Sequence, residues 1–249
     1  NIFRKFSSSI NQIVQIPLFL SHLGQENYGY WILIYSLPSF LALTNIGIGT
    51  FSSNQIAIYS SKGEFEMAKK AYSTAIITLS LLFVFVILAF YIVINLFSFN
   101  SIFGLGEIRG QEFKTTSIIL AMTVLVSFYF EIFNGLLRSV NKAHIYNFLS
   151  GILPLLNLLA ILIVFQFTIS FKILALGILL SNILFLVILK SISRVQNKKL
   201  DFHVSNFSLK ELKYILNNGF SWQLFSISNA IQIQGNIFVI QFLLGPIYV

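Results

Sequence analysis

The stretch Ile76–Phe97, IITLSLLFVFVILAFYIVINLF, decides the fold class. Its 22 residues carry no charge, and Thr78, Ser80 and Asn95 are its small polar interruptions. A helix of this length spans the ~30 Å hydrocarbon core of a bilayer. Working outward, apolar runs with short polar punctuation predict seven spans, at roughly 4–23, 29–53, 72–97, 115–137, 145–168, 172–191 and 216–244. The composition agrees. Hydrophobic residues make up 56 % of the 249, charged residues 10 %, and mean hydropathy is +0.83. A water-soluble globule would need far more polar surface, and disorder would need low hydrophobicity. The expected class is an all-α polytopic membrane protein, with one six-helix lobe and the first helix of a second.

Lysine and arginine set the expected orientation. Arg4, Lys5, Lys62, Lys69, Lys70, Arg138, Lys142, Lys190, Arg194, Lys198, Lys199, Lys210 and Lys213 fall on one side of the seven spans. Arg109, Lys114 and Lys172 fall on the other. Thirteen against three is a strong positive-inside asymmetry, so the N-terminus is expected on the cytoplasmic side. The net charge of +8 is therefore read as a membrane signal, and nucleic acid is not an expected partner. Asn1–Lys5 leads directly into a helical pattern with no cleavable leader, and the ending Leu244–Val249 predicts a chain that continues.

Three segments follow. Residues 1–192 form the N-terminal transmembrane lobe, 193–215 a cytoplasmic linker with an interfacial amphipathic helix, and 216–249 the first helix of a truncated second lobe. Ser208 with Glu211 has capping-box spacing, and Leu209, Leu212 and Leu216 share one face of the helix it opens.

Polar residues inside spans repeat at helical spacing. They are Arg4, Ser8, Asn11, Gln15 and His22 in the first span; Ser127, Glu131, Asn134 and Arg138 in the fourth. Asn147, Ser150, Pro154 and Asn157 mark the fifth; Ser226, Asn229 and Asn236, with Gln232 at the edge, mark the seventh. Each stripe serves either as interhelical glue or as the wall of a wet path. Two stripes contain arginines at the basic side, which favours a polar central cavity. Glu131, the one acidic residue deep in a span, is the candidate ion-coupling group. Pro17, Pro38 and Pro154 each remove a backbone hydrogen bond inside a span and permit kinks.

Other chemistries find little support. There is no cysteine, and His22, His144 and His203 lie near three separate connections. No phosphate-binding glycine loop or Ser-His-Asp arrangement stands out. Neither an enzyme nor a cofactor is expected.

Several short motifs are shared with a known family. His22–Trp31, HLGQENYGYW, resembles the turn between the first two helices of polysaccharide biosynthesis proteins. These are the O-antigen (Wzx-type) flippases of the multidrug/oligosaccharidyl-lipid/polysaccharide exporter superfamily. Leu43–Gly49, LTNIGIG, is similar to a signature late in their second helix, with Asn45 where the family often has Asp. Ile56-Ala57 before the basic loop with Lys69-Lys70, and Leu137–Lys142, resemble further family elements. Phe238–Gly245 resembles the start of the family's second lobe, and Asn236–Gly245 echoes Gln15–Gly24, a weak parallel repeat.

The resemblance implies twelve to fourteen helices in two lobes. It also implies export of an undecaprenyl-diphosphate-linked oligosaccharide across the bacterial inner membrane by alternating access, for O-antigen or capsule synthesis. The expected partners are the lipid bilayer, that polyprenyl-diphosphate-linked oligosaccharide and a glycan polymerase complex. Arg4 and Arg138 would capture the diphosphate; Asn11, Gln15, Asn134, Asn229 and Asn236 would line the sugar path. A drug/cation antiporter of the same superfamily is the nearest alternative. An integral-membrane glycan polymerase or a non-catalytic scaffold is more distant.

Overall fold

The computed structural model describes residues 2–45, 47–97 and 107–219, and Ser228, Gln232, Gly235, Asn236 and Val239 beyond them. Side chains are described from Phe3, and after the second break from Gly110. Among these residues the chain is helical and contains no strand. The elements are α1 (Ile2–Ser39), α2 (Ile48–Ser61), α3 (Phe65–Leu96), α4 (Glu107–Arg138), α5 (Ala143–Phe167) and α6 (Phe171–Gln196). A further helix, α7, covers residues 209–219. Helices α3, α5 and α6 and the Gly110–Arg138 part of α4 are long and apolar enough to cross a membrane. The pair Phe3–Asn45 and Ile48–Ser61, bent by 41°, makes a fifth such unit.

Within α1 the backbone breaks at Gly24, where φ is 74° and ψ is 168°, a conformation that glycine adopts without steric cost. The chain reverses there. Along a straight helix Phe19 and Trp31 would stand ~18 Å apart, yet their ring centroids lie 5.4 Å apart. Phe19 also packs 5.7 Å from Tyr28. The two arms of α1 thus form a hairpin, with the turn at the glycine that separates the first two expected spans.

The expected continuous span 29–53 is interrupted. The second arm ends at Ser39, one residue after Pro38, and a 3-10 turn occupies Phe40–Asn45. Gly47, at φ 68°, then opens α2. Proline removes a backbone donor, and only glycine is comfortable in the left-handed conformation, so the break is written into the sequence. Other expected spans lengthen into the polar flanks. Helix α3 begins at Phe65 and carries a Glu66–Lys69 ion pair of 2.8 Å on its first turns. The seventh span falls mostly outside the described residues.

Helix α4 is the hub. It packs on α6, α2, α3 and α1, and 56 % of its most apolar stretch is buried, against 17 % for α3 and for α5. Its approach to α2 needs small residues. A Cβ on Gly135 would stand 2.6 Å from the Ser53 Cα, and one on Gly49 would stand 3.0 Å from the Phe128 carbonyl oxygen. Close backbone approach through Gly and Ser is a main source of helix association in lipid, where burial of apolar surface supplies little.

Two apolar clusters hold the bundle, one at each end. Phe19, Trp31, Ile34, Phe90, Phe113 and Ile178 gather near the Gly24 turn. Ile48, Phe51, Leu79, Phe130, Leu136, Phe185 and Ile215 gather toward the basic end. Polar bonds tie the connections down. Glu112 on α4 accepts hydrogen bonds from the Phe171 backbone N–H (3.2 Å) and the Ser170 hydroxyl (3.5 Å), capping α6 from a neighbouring helix. After α6, Asn197 donates to Ser139 Oγ at 2.7 Å and to the Leu136 carbonyl at 3.3 Å. The His203 and Ser208 backbone amides donate to Ser73 and Thr74 on α3.

Candidate functional site

The polar stripes of α1 and α5 lie side by side. Phe3 stacks on Phe148 with centroids 5.2 Å apart, and the Arg4 backbone lies against Gly151. Eighteen residues on, His22 stacks on Phe165 at 4.6 Å. The first arm of α1 therefore runs parallel to α5, so that residues about 143–147 apart in sequence meet along the whole contact. The pairing brings Asn11 and Gln15 beside Asn157.

Between these helices and the second arm of α1 lies a chamber of about 650 Å³. Asn11, Gln12 and Gln15 form its amide wall, and Tyr28, Trp31, Tyr35 and Ser36 face them from the returning arm. Asn157 and Ile161 of α5 and Ile178 of α6 complete it. Asn11 Nδ2 donates to Gln15 Oε1 at 3.2 Å. The Asn11 Oδ1 is buried and has no hydrogen-bond partner among the described residues. Asn182 Nδ2 donates to Asn157 Oδ1 at 3.3 Å, fixing that side chain on the chamber wall. The chamber thus offers several amides and three aromatic faces.

The α4 stripe is built differently. Glu131 accepts from Tyr146 Oη at 2.9 Å through one oxygen and from Asn134 Nδ2 at 3.1 Å through the other. Gly49 of α2 presses near its Cβ, with the Asn45 amide close by. Arg4 lies within electrostatic reach of the Tyr146 hydroxyl. One turn beyond Asn134, Arg138 donates from Nη1 to Asn54 Oδ1 at 2.6 Å. It lines an open pocket of about 440 Å³ with Phe51, Asn54, Gln55 and Ile58. Tyr146, Glu131, Asn134 and Arg138 form one polar line toward the basic end, with the Arg4 backbone against Gly151 one turn beyond Tyr146 on α5.

The predicted residues thus fall into two groups. Asn11 and Gln15 share the chamber; Arg4, Glu131, Asn134 and Arg138 share the second cluster. Ser127 and Ser150 turn back to carbonyls of their own helices, Val124 and Asn147. Asn236 stands on an exposed helical position, and Asn229 and Ser226 lie outside the described residues. Four partners escaped the sequence reading: Tyr146, Asn54, Trp31 and Tyr35. Tyr146 carried a usable signal, since at about 100° per residue it lies within ~40° of Ser150 and Asn157. Asn54 carried none, because its value depends on where α2 meets the end of α4.

No family model matches the chain, and no curated protein does. Two solved structures match it closely in shape. One is the inward-facing conformation of a multidrug resistance MATE family transporter of the MOP superfamily, with a TM-score of 0.75 at 18 % identity over 98 % of this chain. The other is an outward-facing conformation of such a transporter, with a TM-score of 0.69 at 16 % identity over 93 % of this chain. The fold is that of one half of a MATE-type transporter. The match occupies 54 % and 51 % of those chains, so this chain spans about half their length.

Proposed function

We infer that the chain is one lobe of an exporter in the bacterial inner membrane, with its basic end and N-terminus in the cytoplasm. Its cargo is an undecaprenyl-diphosphate-linked oligosaccharide for O-antigen or capsule synthesis. The chamber beside the first hairpin carries this reading. Its amides suit sugar hydroxyls, and its rings offer flat faces for sugar C–H groups. Arg4 and Arg138, at the basic end, would meet the diphosphate, for which guanidinium groups give paired charge-assisted bonds. Asn11, Gln15, Asn134, Asn229 and Asn236 would follow the sugars, and the polyprenyl tail would stay in lipid. Glu131, between Tyr146 and Asn134, would bind the driving ion. Cargo would be handed to a glycan polymerase complex. No bond in the cargo is made or broken, so the proposed action is carriage without catalysis.

A second reading, drug or cation antiport in the same fold, is favoured by the wall of Tyr28, Trp31 and Tyr35. Aromatic faces attract organic cations. One experiment separates the two. The full-length gene carrying Arg138→Ala or Asn11→Ala would be expressed in cells that lack their own copy, with surface glycan and cationic-dye resistance measured together. Lost glycan at normal protein level, with dye resistance unchanged, supports the glycolipid carrier. Lost dye resistance with normal glycan supports the antiporter.

A further inference from the structure

Helices α3 and α6 both pack on α4 but make little contact with each other. A lateral furrow results, floored by Tyr129 and Phe133 of α4. Its volume is about 500 Å³. Ile76 and Tyr72 of α3 form one wall, and Leu186, Lys190 and Arg194 of α6 form the other. The connection Leu200–His203 closes it at the basic end.

The lining changes character along the membrane normal. On α6, Leu186, Lys190 and Arg194 follow one another at four-residue steps, so they stand on one face ~6 Å apart. Ile76, Phe133 and Leu186 supply an apolar bed. Lys190 and Arg194 are exposed above it, and neither forms an ion pair among the described residues. Asp201 and His203 sit at the mouth as well, so the carboxylate offsets part of the positive charge without pairing. Outside the furrow, α3 and α6 present Leu81, Phe85, Leu180 and Val187 to lipid. An apolar bed ending in two unpaired cations, open sideways to the bilayer, matches the layered chemistry of a phospholipid. Basic pockets between transmembrane helices on the anionic leaflet side are established headgroup sites.

We propose that the furrow between α3 and α6 binds one anionic phospholipid of the basic-side leaflet, its phosphate between Lys190 and Arg194 and an acyl chain on Ile76, Phe133 and Leu186. The site shares no lining residue with the chamber, and it stands whichever cargo the protein carries.

The test uses the full chain in detergent, titrated with phosphatidylglycerol, phosphatidylcholine or inorganic phosphate, with bound lipid counted by native mass spectrometry. Phosphatidylglycerol should bind, while phosphatidylcholine and inorganic phosphate should bind at least tenfold more weakly. The pair Lys190→Gln/Arg194→Gln should weaken phosphatidylglycerol binding about tenfold or more. Lys5→Gln/Lys198→Gln, which removes the same charge elsewhere at that end, should leave it within about twofold. Leu186→Trp, which fills the bed and keeps both cations, should also weaken it. Equal loss in the two charge pairs would overturn the proposal in favour of general surface attraction. Equal binding of inorganic phosphate would overturn it in favour of a simple anion site. Melting of each variant without lipid shows whether the fold is intact; Lys190→Arg, which keeps the charge, should restore binding.

Discussion

The chamber beside α1 and the Glu131 cluster on α4 grow from the same sequence pattern, a polar residue every three or four positions. Their outcomes are opposite. In the cluster both carboxylate oxygens are engaged, by Tyr146 and Asn134, and the helix beneath is locked to α2 through Gly49 and Gly135. Beside the chamber of about 650 Å³, one amide oxygen of Asn11 is buried with no partner among the described residues. A polar stripe becomes glue where a neighbouring helix brings complementary donors close. It becomes a wall where the neighbour stands back behind aromatic rings. Buried groups that lack partners cost free energy, so the Asn11 oxygen weakens the packing beside the chamber where the Tyr146 and Asn134 bonds strengthen the cluster.

The contrast can be broken most forcefully at the α2–α4 contact. Gly135→Leu places a side chain where a Cβ already lies 2.6 Å from the Ser53 Cα, so the helices must separate. The expected loss is about 3 kcal/mol or more, read as failure to recover monodisperse protein from membranes. Recovery at the original level would show that the cluster does not depend on this contact.

The next largest effect compares two polar deletions. Tyr146→Phe removes a donor from a carboxylate and should lower stability by about 1–3 kcal/mol. Asn11→Leu removes an amide whose oxygen has no partner, and should change stability by less than about 1 kcal/mol. Thermal melting of both variants in one detergent checks the pair; equal losses would erase the distinction between glue and wall.

Thiol labelling sharpens it further. The chain has no cysteine, so single substitutions report cleanly. Asn11→Cys should react with a charged, water-soluble maleimide roughly tenfold faster than Asn134→Cys if burial limits access. Similar rates would mean that water reaches both regions alike.

The smallest effect concerns a second carboxylate, Glu211 on α7. Its backbone N–H donates to Ser208 Oγ at 3.3 Å, one half of the expected capping box. Its side chain is buried with Oε1 unpartnered. Burial pushes its carboxyl above the usual range, opposed by Lys210. Because the folded state holds the proton more tightly than the unfolded one, this group favours docking of α7 at acid pH. That contribution fades as pH rises through the raised titration. Glu211→Gln should flatten this dependence, measured as protease resistance of residues 197–219 across pH 4–7. An unchanged profile would assign the dependence to another group.

Particular residues show where sequence reasoning reached and where it stopped. Ile76–Phe97 had to be a membrane helix, because a charge-free run of that length has no comparable place in water. Gly24 had to separate two helices. The break between Ser39 and Ile48 was half legible: Pro38 and Gly47 were visible, but the long apolar pattern hid that they act together. Helix 209–219 shows the same limit. Leu209 and Leu216 point outward as the pattern suggests, yet the side turned to the protein is Glu211 and Ile215, chosen by the packing of the connection on α3.

Hydrophobic content and helical period determined the all-α membrane class and the phase of the polar stripes on the first arm of α1, α4 and α5. These depend only on residue spacing along one helix and on the cost of placing polar groups in hydrocarbon. Which stripes face each other, which are satisfied, and where a chamber or furrow stays open were decided by the tertiary structure. Those outcomes rest on contacts between residues far apart in the chain, such as Asn54 with Arg138 and Asn157 with Asn182, and no local period encodes the distance between two helices.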